Sequence, residues 1–199
     1  MLSRLMSYVY VFADWFVRLL VLNLLWVVLT VIGLGIFGWL PATLTVIYIL
    51  KNWLYQKTQV RSIKSYGKVY MVHLKKSQGL NAAFLIFGLV AYMDFFFFVD
   101  QSPMIASIGL GFLMSVCLAL LVLLLYVLPI YSEPDVGLRF ALKLGLSIGM
   151  QQWGRTLLTC LGLMLLIGIY YVRIDILLCF GMSLTLLWVL KTTKMVQNT

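Results

Sequence analysis

The chain has 199 residues, of which 63% are hydrophobic and 11% charged, and it carries a formal net charge of +9. Ordinary soluble domains are about half apolar and a quarter charged, so a soluble enzyme, a disordered tail and a disulfide-stapled secreted domain are all excluded. The apolar excess lies in long uncharged blocks at 19–50, 101–132, 156–172 and 176–190, which defines an all-α, polytopic membrane helix bundle.

The first block is too long for one crossing of a ~30 Å hydrocarbon layer and short for two. Gly33, Gly35, Gly38, Trp39 and Pro41 fall close together inside it, the composition of a turn near an interface. The block therefore reads as a hairpin, with helices over about 12–32 and 41–55 and with Lys51 snorkelling toward the headgroups. A third helix is predicted over 80–99, interrupted only by Asp94. In the turn Asp100-Gln101-Ser102-Pro103, Ser102 can cap the next helix and Pro103 suits its first position. That helix runs over about 103–130, until Ser132-Glu133-Pro134-Asp135 breaks it. Residues 136–153 are helical in pattern but carry Arg139 and Lys143, which places them at the interface. Two short spans follow, about 156–171 and 176–190, joined by the tight turn Val172-Arg173-Ile174-Asp175.

Six spans within one membrane domain, 1–199, leave two cytoplasmic segments, about 56–79 and 131–155, and no room for a separate soluble domain. No cleavable signal is expected, because Asp14 and Arg18 follow the first short apolar stretch without a small-residue cleavage site. Basic residues collect on the cytoplasmic side of spans. With both termini inside, all the Lys and Arg except Arg173 face the cytoplasm. The positive balance then reads as orientation and contact with an anionic inner leaflet, with no nucleic acid among the partners.

Lys57, Arg61, Lys64, Lys68 and Lys75 share an arc of roughly 60° at about 100° per residue, with Ile63, Tyr66, Tyr70 and Leu74 broadly opposite. A basic amphipathic helix along the inner leaflet, interrupted at Gly67, explains this pattern. A docking surface for a partner explains it too. Arg139, Lys143, Ser147, Gln151 and Arg155 recur every four residues, forming an oblique ridge that drifts about 40° per step. Gly145 and Gly149 add a small-xxx-small pair suited to close packing.

Asp94 lies about 9 Å inside Asp100 by helical rise. A carboxylate at mid-bilayer costs roughly 2.5–3.5 kcal/mol, so Asp94 either binds a proton or substrate, or reaches the outer headgroups, or pairs with Arg173. Asn23 reads as an interhelical hydrogen-bonding residue. His73, the single histidine, reads as structural. Cys117, Cys160 and Cys179 sit in apolar spans as small packing residues without metal-ligand spacing. No P-loop, nucleophile elbow or pair of intramembrane carboxylates is present, so no catalytic residue, metal or cofactor is expected, nor enzyme activity.

Three stretches carry a family resemblance. Asn23-Leu24-Leu25-Trp26 is followed by the glycines of 32–38 and by Pro41-Ala42-Thr43. Tyr66–Asn81 is aromatic and basic and ends in Gly79-Leu80-Asn81. Leu128-Pro129-Ile130-Tyr131 and the Lys143 region precede Gly181-Met182-Ser183-Leu184. In order and spacing the chain resembles the YesL-like family of bacterial integral membrane proteins of uncharacterised function. It departs at Leu44-Thr45, where small residues are common, and lacks an acidic turn after the second helix.

The resemblance implies a bacterial cell membrane. Such proteins are often encoded beside carbohydrate ABC-transporter permeases, which implies an accessory role in sugar uptake with transporter membrane subunits as partners. It supplies no catalytic or ligand residues. A small independent carrier or channel acting as a homo-oligomer is the other reading, resting on Asp94, Asn23 and the glycine-rich hairpin.

Overall fold

No glycine or proline interrupts the chain before Gly33, and Leu and Val dominate from Val17 onward, so one long helix propagates through this segment. In the computed structural model, which describes residues 2–56 and 63–193, this helix is α1, Leu2–Ile32. It begins about ten residues earlier than the hydropathy pattern suggests, because Asp14 and Arg18 neutralise each other one turn apart at 2.7 Å. The chain then reverses through Gly33–Gly38, with Leu34 and Gly35 at φ 61° and 70°. The amides of Gly33 and Gly35 donate to the carbonyls of Leu29 and Thr30 at 3.1 and 2.8 Å, closing the end of α1.

Helix α2, Trp39–Lys51, has only 13 residues and continues into a π-helical turn, Asn52–Gln56. At about 20 Å it is shorter than a ~30 Å hydrocarbon layer. It is nevertheless the centre of the fold. Leu40, Ala42, Leu44, Val46, Ile49 and Leu50 are completely buried, enclosed by α1, α3, α4 and α7. Five helical segments are long and apolar enough to cross a membrane: Tyr8–Ile32, Tyr66–Val99, Pro103–Tyr131, Trp153–Val172 and Ile174–Thr193. The sixth expected span is α2, which the other helices enclose except at Trp39 and, in part, Tyr48.

The remaining helices are α3, Ile63–Val99; α4, Pro103–Tyr131; α5, Leu138–Gln151; α6, Trp153–Val172; and α7, Ile174–Thr193. The expected break between an inner-leaflet helix and a third span does not occur. Helix α3 runs through Gly67 and Gly79 without interruption, since a glycine costs a helix only about 1 kcal/mol. Its lower half packs on α2 through Tyr70, His73 and Ser77, all buried. Pro103 does start α4, but Ser102 makes no side-chain cap.

Helix α5 lies against the end of α4, where a Cβ on Gly145 would come within 2.7 Å of Val127 Cγ2. Helices α6 and α7 form a tight pair. Thr159 Oγ1 donates to Thr192 Oγ1 at 2.9 Å, and Tyr170 Oη donates to the Gly181 carbonyl at 3.0 Å. The cysteines are not core packing residues: Cys117 and Cys179 are exposed on the outer face and Cys160 is half-buried. On a lipid-facing surface a thiol needs no partner, so apolar spans do not distinguish core cysteines from peripheral ones.

Candidate functional site

Polar side chains that a membrane helix cannot leave unpaired converge where α4 ends. The last carbonyls of any helix lack intrahelical donors and carry its negative end. Here two lysines from different helices supply the missing donors. Lys51 at the end of α2 donates to the Pro129 carbonyl at 3.1 Å and pairs with the Glu133 carboxylate. Lys76 on α3 donates to the carbonyls of Tyr131 (2.9 Å), Glu133 and Pro134, and its ammonium sits 4.3 Å from the Tyr131 ring centroid. Tyr131 Oη in turn donates to the Lys76 carbonyl at 2.8 Å, and Ser132 Oγ to the Pro129 carbonyl at 2.7 Å. Lys51 therefore does not snorkel. The α4 terminus and Glu133 give its charge a better environment than a climb to the headgroups, and its side chain is 4% exposed.

Beside this clamp, the Tyr48 ring meets His73 edge-on with centroids 6.2 Å apart. His73 and Ser77 stand one turn apart on α3. Among the described residues, both imidazole nitrogens and the Ser77 hydroxyl are buried without a hydrogen-bond partner. Leaving such atoms unpaired costs about 1–3 kcal/mol each, so they form the unused hydrogen-bonding capacity of the centre. No hydrogen bond joins Ser77 to His73, and Glu133 is committed to Lys51, so the group is not arranged as a nucleophile with its base. The expectation that His73 is structural is consistent with its burial. Its lack of a partner was not foreseeable from the sequence.

The residues singled out in the sequence lie elsewhere. Lys57 and Arg61 are outside the described residues, as is the side chain of Lys64. Lys68 and Lys75 point outward from α3, and Arg139 and Lys143 outward from α5. Asp94 is half-buried and makes no ion pair among the described residues. Arg173 instead pairs with Asp175, two residues away at 2.9 Å, a local contact that needs no ordering of a distant helix. Lys51, Lys76 and Ser77 were missed as site residues. The available signal was a polar i, i+3, i+4 set, His73-Lys76-Ser77, on the face of α3 opposite Lys68.

Asn23 engages α7 directly. Its Nδ2 donates to the Leu178 carbonyl at 2.7 Å and its Oδ1 accepts from the Met182 amide at 3.1 Å. Those two backbone groups are an i, i+4 pair of the α7 ladder, so one side chain ties α1 into the backbone of the last helix. Asn23→Leu is expected to lower stability by about 1 kcal/mol, within the range for interhelical bonds in membranes. SDS titration of the folded protein in mixed micelles, followed by circular dichroism, would measure it.

The outward surface of the bundle is apolar, with Phe97, Ile108, Met114, Leu165 and Leu178 all exposed. Together with five span-length helices and a clamp built to hide charge, this defines a helical membrane protein. The comparisons with known proteins bear out the resemblance to the YesL-like family. Residues 19–95 match the family described as protein of unknown function, DUF624, a stretch that holds the second part of α1, the hairpin, α2 and most of α3. Three uncharacterized proteins of Bacillus subtilis (strain 168) are similar. YteU is 28% identical over 74% of this chain and 67% of its own length. YesL is 25% identical over 87% of this chain and 81% of its own, and YesV 23% over 67% and 64%. No solved structure matches the chain.

Proposed function

We propose that the chain is a non-enzymatic accessory protein of a carbohydrate ABC-transporter complex in a bacterial cell membrane, with both termini cytoplasmic. The observation that carries this reading is the set of outward cations. Lys68 and Lys75 on α3 and Arg139 and Lys143 on α5 are exposed, while Lys51 and Lys76 are consumed in closing α4. Exposed cations beside an apolar bundle suit docking on a membrane partner or on an anionic inner leaflet. The resemblance to YesL-like proteins supports a transporter as that partner. The grooves of the bundle are lined mainly by apolar side chains, whereas a sugar requires convergent hydrogen-bonding groups.

Gentle-detergent affinity purification under an inducing sugar tests the proposal. Transporter membrane subunits are expected to co-purify, and charge reversal at Lys68, Lys75, Arg139 and Lys143 is expected to deplete them severalfold. Recovery of the chain without any transporter subunit would count against it. A second reading, an independent carrier or channel working as an oligomer, draws on the unpartnered atoms of His73 and Ser77. Sugar flux in reconstituted vesicles, lost in His73→Leu or Asp94→Asn, would favour that reading.

A further inference from the structure

The face that α3 turns toward α2 carries a polar side chain at almost every turn. Tyr70, His73, Ser77 and Asn81 follow one another at helical spacing, and all four are buried. From the α2 side, Tyr48 meets the His73 ring and shares its helix face with Thr45 and Asn52, which are also buried. An otherwise apolar bundle thus encloses one interhelical seam that is polar on both walls.

The two ends of the α3 ladder are bonded. Tyr70 Oη donates to the Leu29 carbonyl at 2.9 Å, and Asn81 Nδ2 donates to the Ile36 carbonyl at 3.0 Å. The middle is not bonded. Both His73 nitrogens and Ser77 Oγ lack a partner among the described residues, whereas fewer than about one in ten buried polar groups go unpaired in proteins. His73 and Ser77 stand ~6 Å apart by helical rise. Short side chains at that spacing leave a gap that two hydrogen bonds of about 2.8 Å, meeting at a shared oxygen, would span.

The chemistry of the gap selects its occupant. It must be small, since His73 and Ser77 are fully enclosed. It must both donate and accept, to serve a hydroxyl and a ring with two nitrogens. A metal ion finds too few ligands, because no three His, Cys, Asp or Glu stand together among the described residues. An anion needs cationic donors, and Lys51 and Lys76 already serve the end of α4. Water meets each requirement. We propose that this seam is a hydration site: one ordered water bridges Ser77 Oγ to the imidazole, and a second joins the other ring nitrogen to the polar wall of α2. Asn81, one turn beyond Ser77, lines the groove beside Thr30, Gly35 and Trp39, so a single helical turn separates the site from the protein surface. The site does not depend on a transporter role.

His73 is the single histidine, so labelling with 15N-histidine reports on this ring alone. Magic-angle-spinning NMR of the full chain in phosphatidylglycerol and phosphatidylcholine vesicles, with polarisation transferred from water protons, tests the site. The His73 ring signal is expected to build up severalfold faster than the amide of Leu44, which lies in an apolar cluster of the core. Both ring nitrogens should carry the shifts of hydrogen-bonded imidazole. Ser77→Ala removes one anchor of the bridge and should slow the build-up severalfold while helical circular dichroism is unchanged. A wild-type ring that builds up no faster than Leu44, or that has an unbonded nitrogen, would overturn the proposal whether or not the variant folds. The slow build-up would mean that the Ser77 hydroxyl turns back on the His73 carbonyl of its own helix. A folded Ser77→Ala protein with the wild-type rate would overturn it equally.

Discussion

Glu133→Ala is expected to destabilise the protein by about 3 kcal/mol, and Lys51→Met by only about 1–2 kcal/mol, although the glutamate is the more exposed partner. The asymmetry follows from what each substitution leaves behind. The Glu133 side chain is 34% exposed and Lys51 4%. Without Lys51, the carboxylate turns to water, and the protein loses one donor to the Pro129 carbonyl while Lys76 still closes the end of α4. Without Glu133, an ammonium remains enclosed with a single carbonyl for company. Stranding a buried charge typically costs 3–5 kcal/mol, and the surviving carbonyl bond keeps the loss at the lower end. The double variant should resemble Lys51→Met, because no charge is then stranded. Mixed-micelle SDS titrations of the three variants measure these differences. A larger loss in Lys51→Met would mean that closing α4, not charge pairing, dominates the clamp.

The distinction between what was legible in the sequence and what was not has a physical basis. The first hairpin was legible because glycine, tryptophan and proline interrupt an apolar block in a way no continuous helix would. The all-helical membrane class was legible from the uncharged runs alone. The enclosure of α2 was not, since a short helix with apolar side chains on every face reads alike against lipid or protein. Lys51 misled for the same reason. A lysine after an apolar run ordinarily snorkels, and the acid that holds it is 82 positions away. His73, Lys76 and Ser77 were hidden by their neighbours, because the outward lysines dominate the pattern of that segment. Asn23 could be read as interhelical, but its target on α7 could not, because a single side chain names no partner.

The Asn-Leu-Leu-Trp, glycine and Pro-Ala-Thr block that carries the family resemblance proves to be one packing unit. Trp26 Nε1 donates to Thr43 Oγ1 at 3.0 Å across the hairpin, and Ala42 is fully buried against Leu29 and Tyr70. Gly33 stands at the point of closest approach. A Cβ there would collide with Gly38 Cα and with Tyr70 Oη, the hydroxyl that donates to the Leu29 carbonyl at 2.9 Å.

Gly33→Ala is therefore expected to cost about 3 kcal/mol or more, the upper end of overpacking penalties, because the obstacle is backbone and cannot change rotamer. Gly35→Ala makes the informative contrast. Gly35 has φ +70° but nothing within 4 Å of its missing Cβ, so only the left-handed backbone penalty applies, about 1–2 kcal/mol. The glycine with ordinary backbone geometry should thus be the costlier one to replace. Thermal unfolding of both variants in one detergent decides the matter. Equal losses would mean that the conformation of the turn sets the hairpin, whereas a deficit concentrated at Gly33 assigns that role to the contact between α1, α2 and Tyr70.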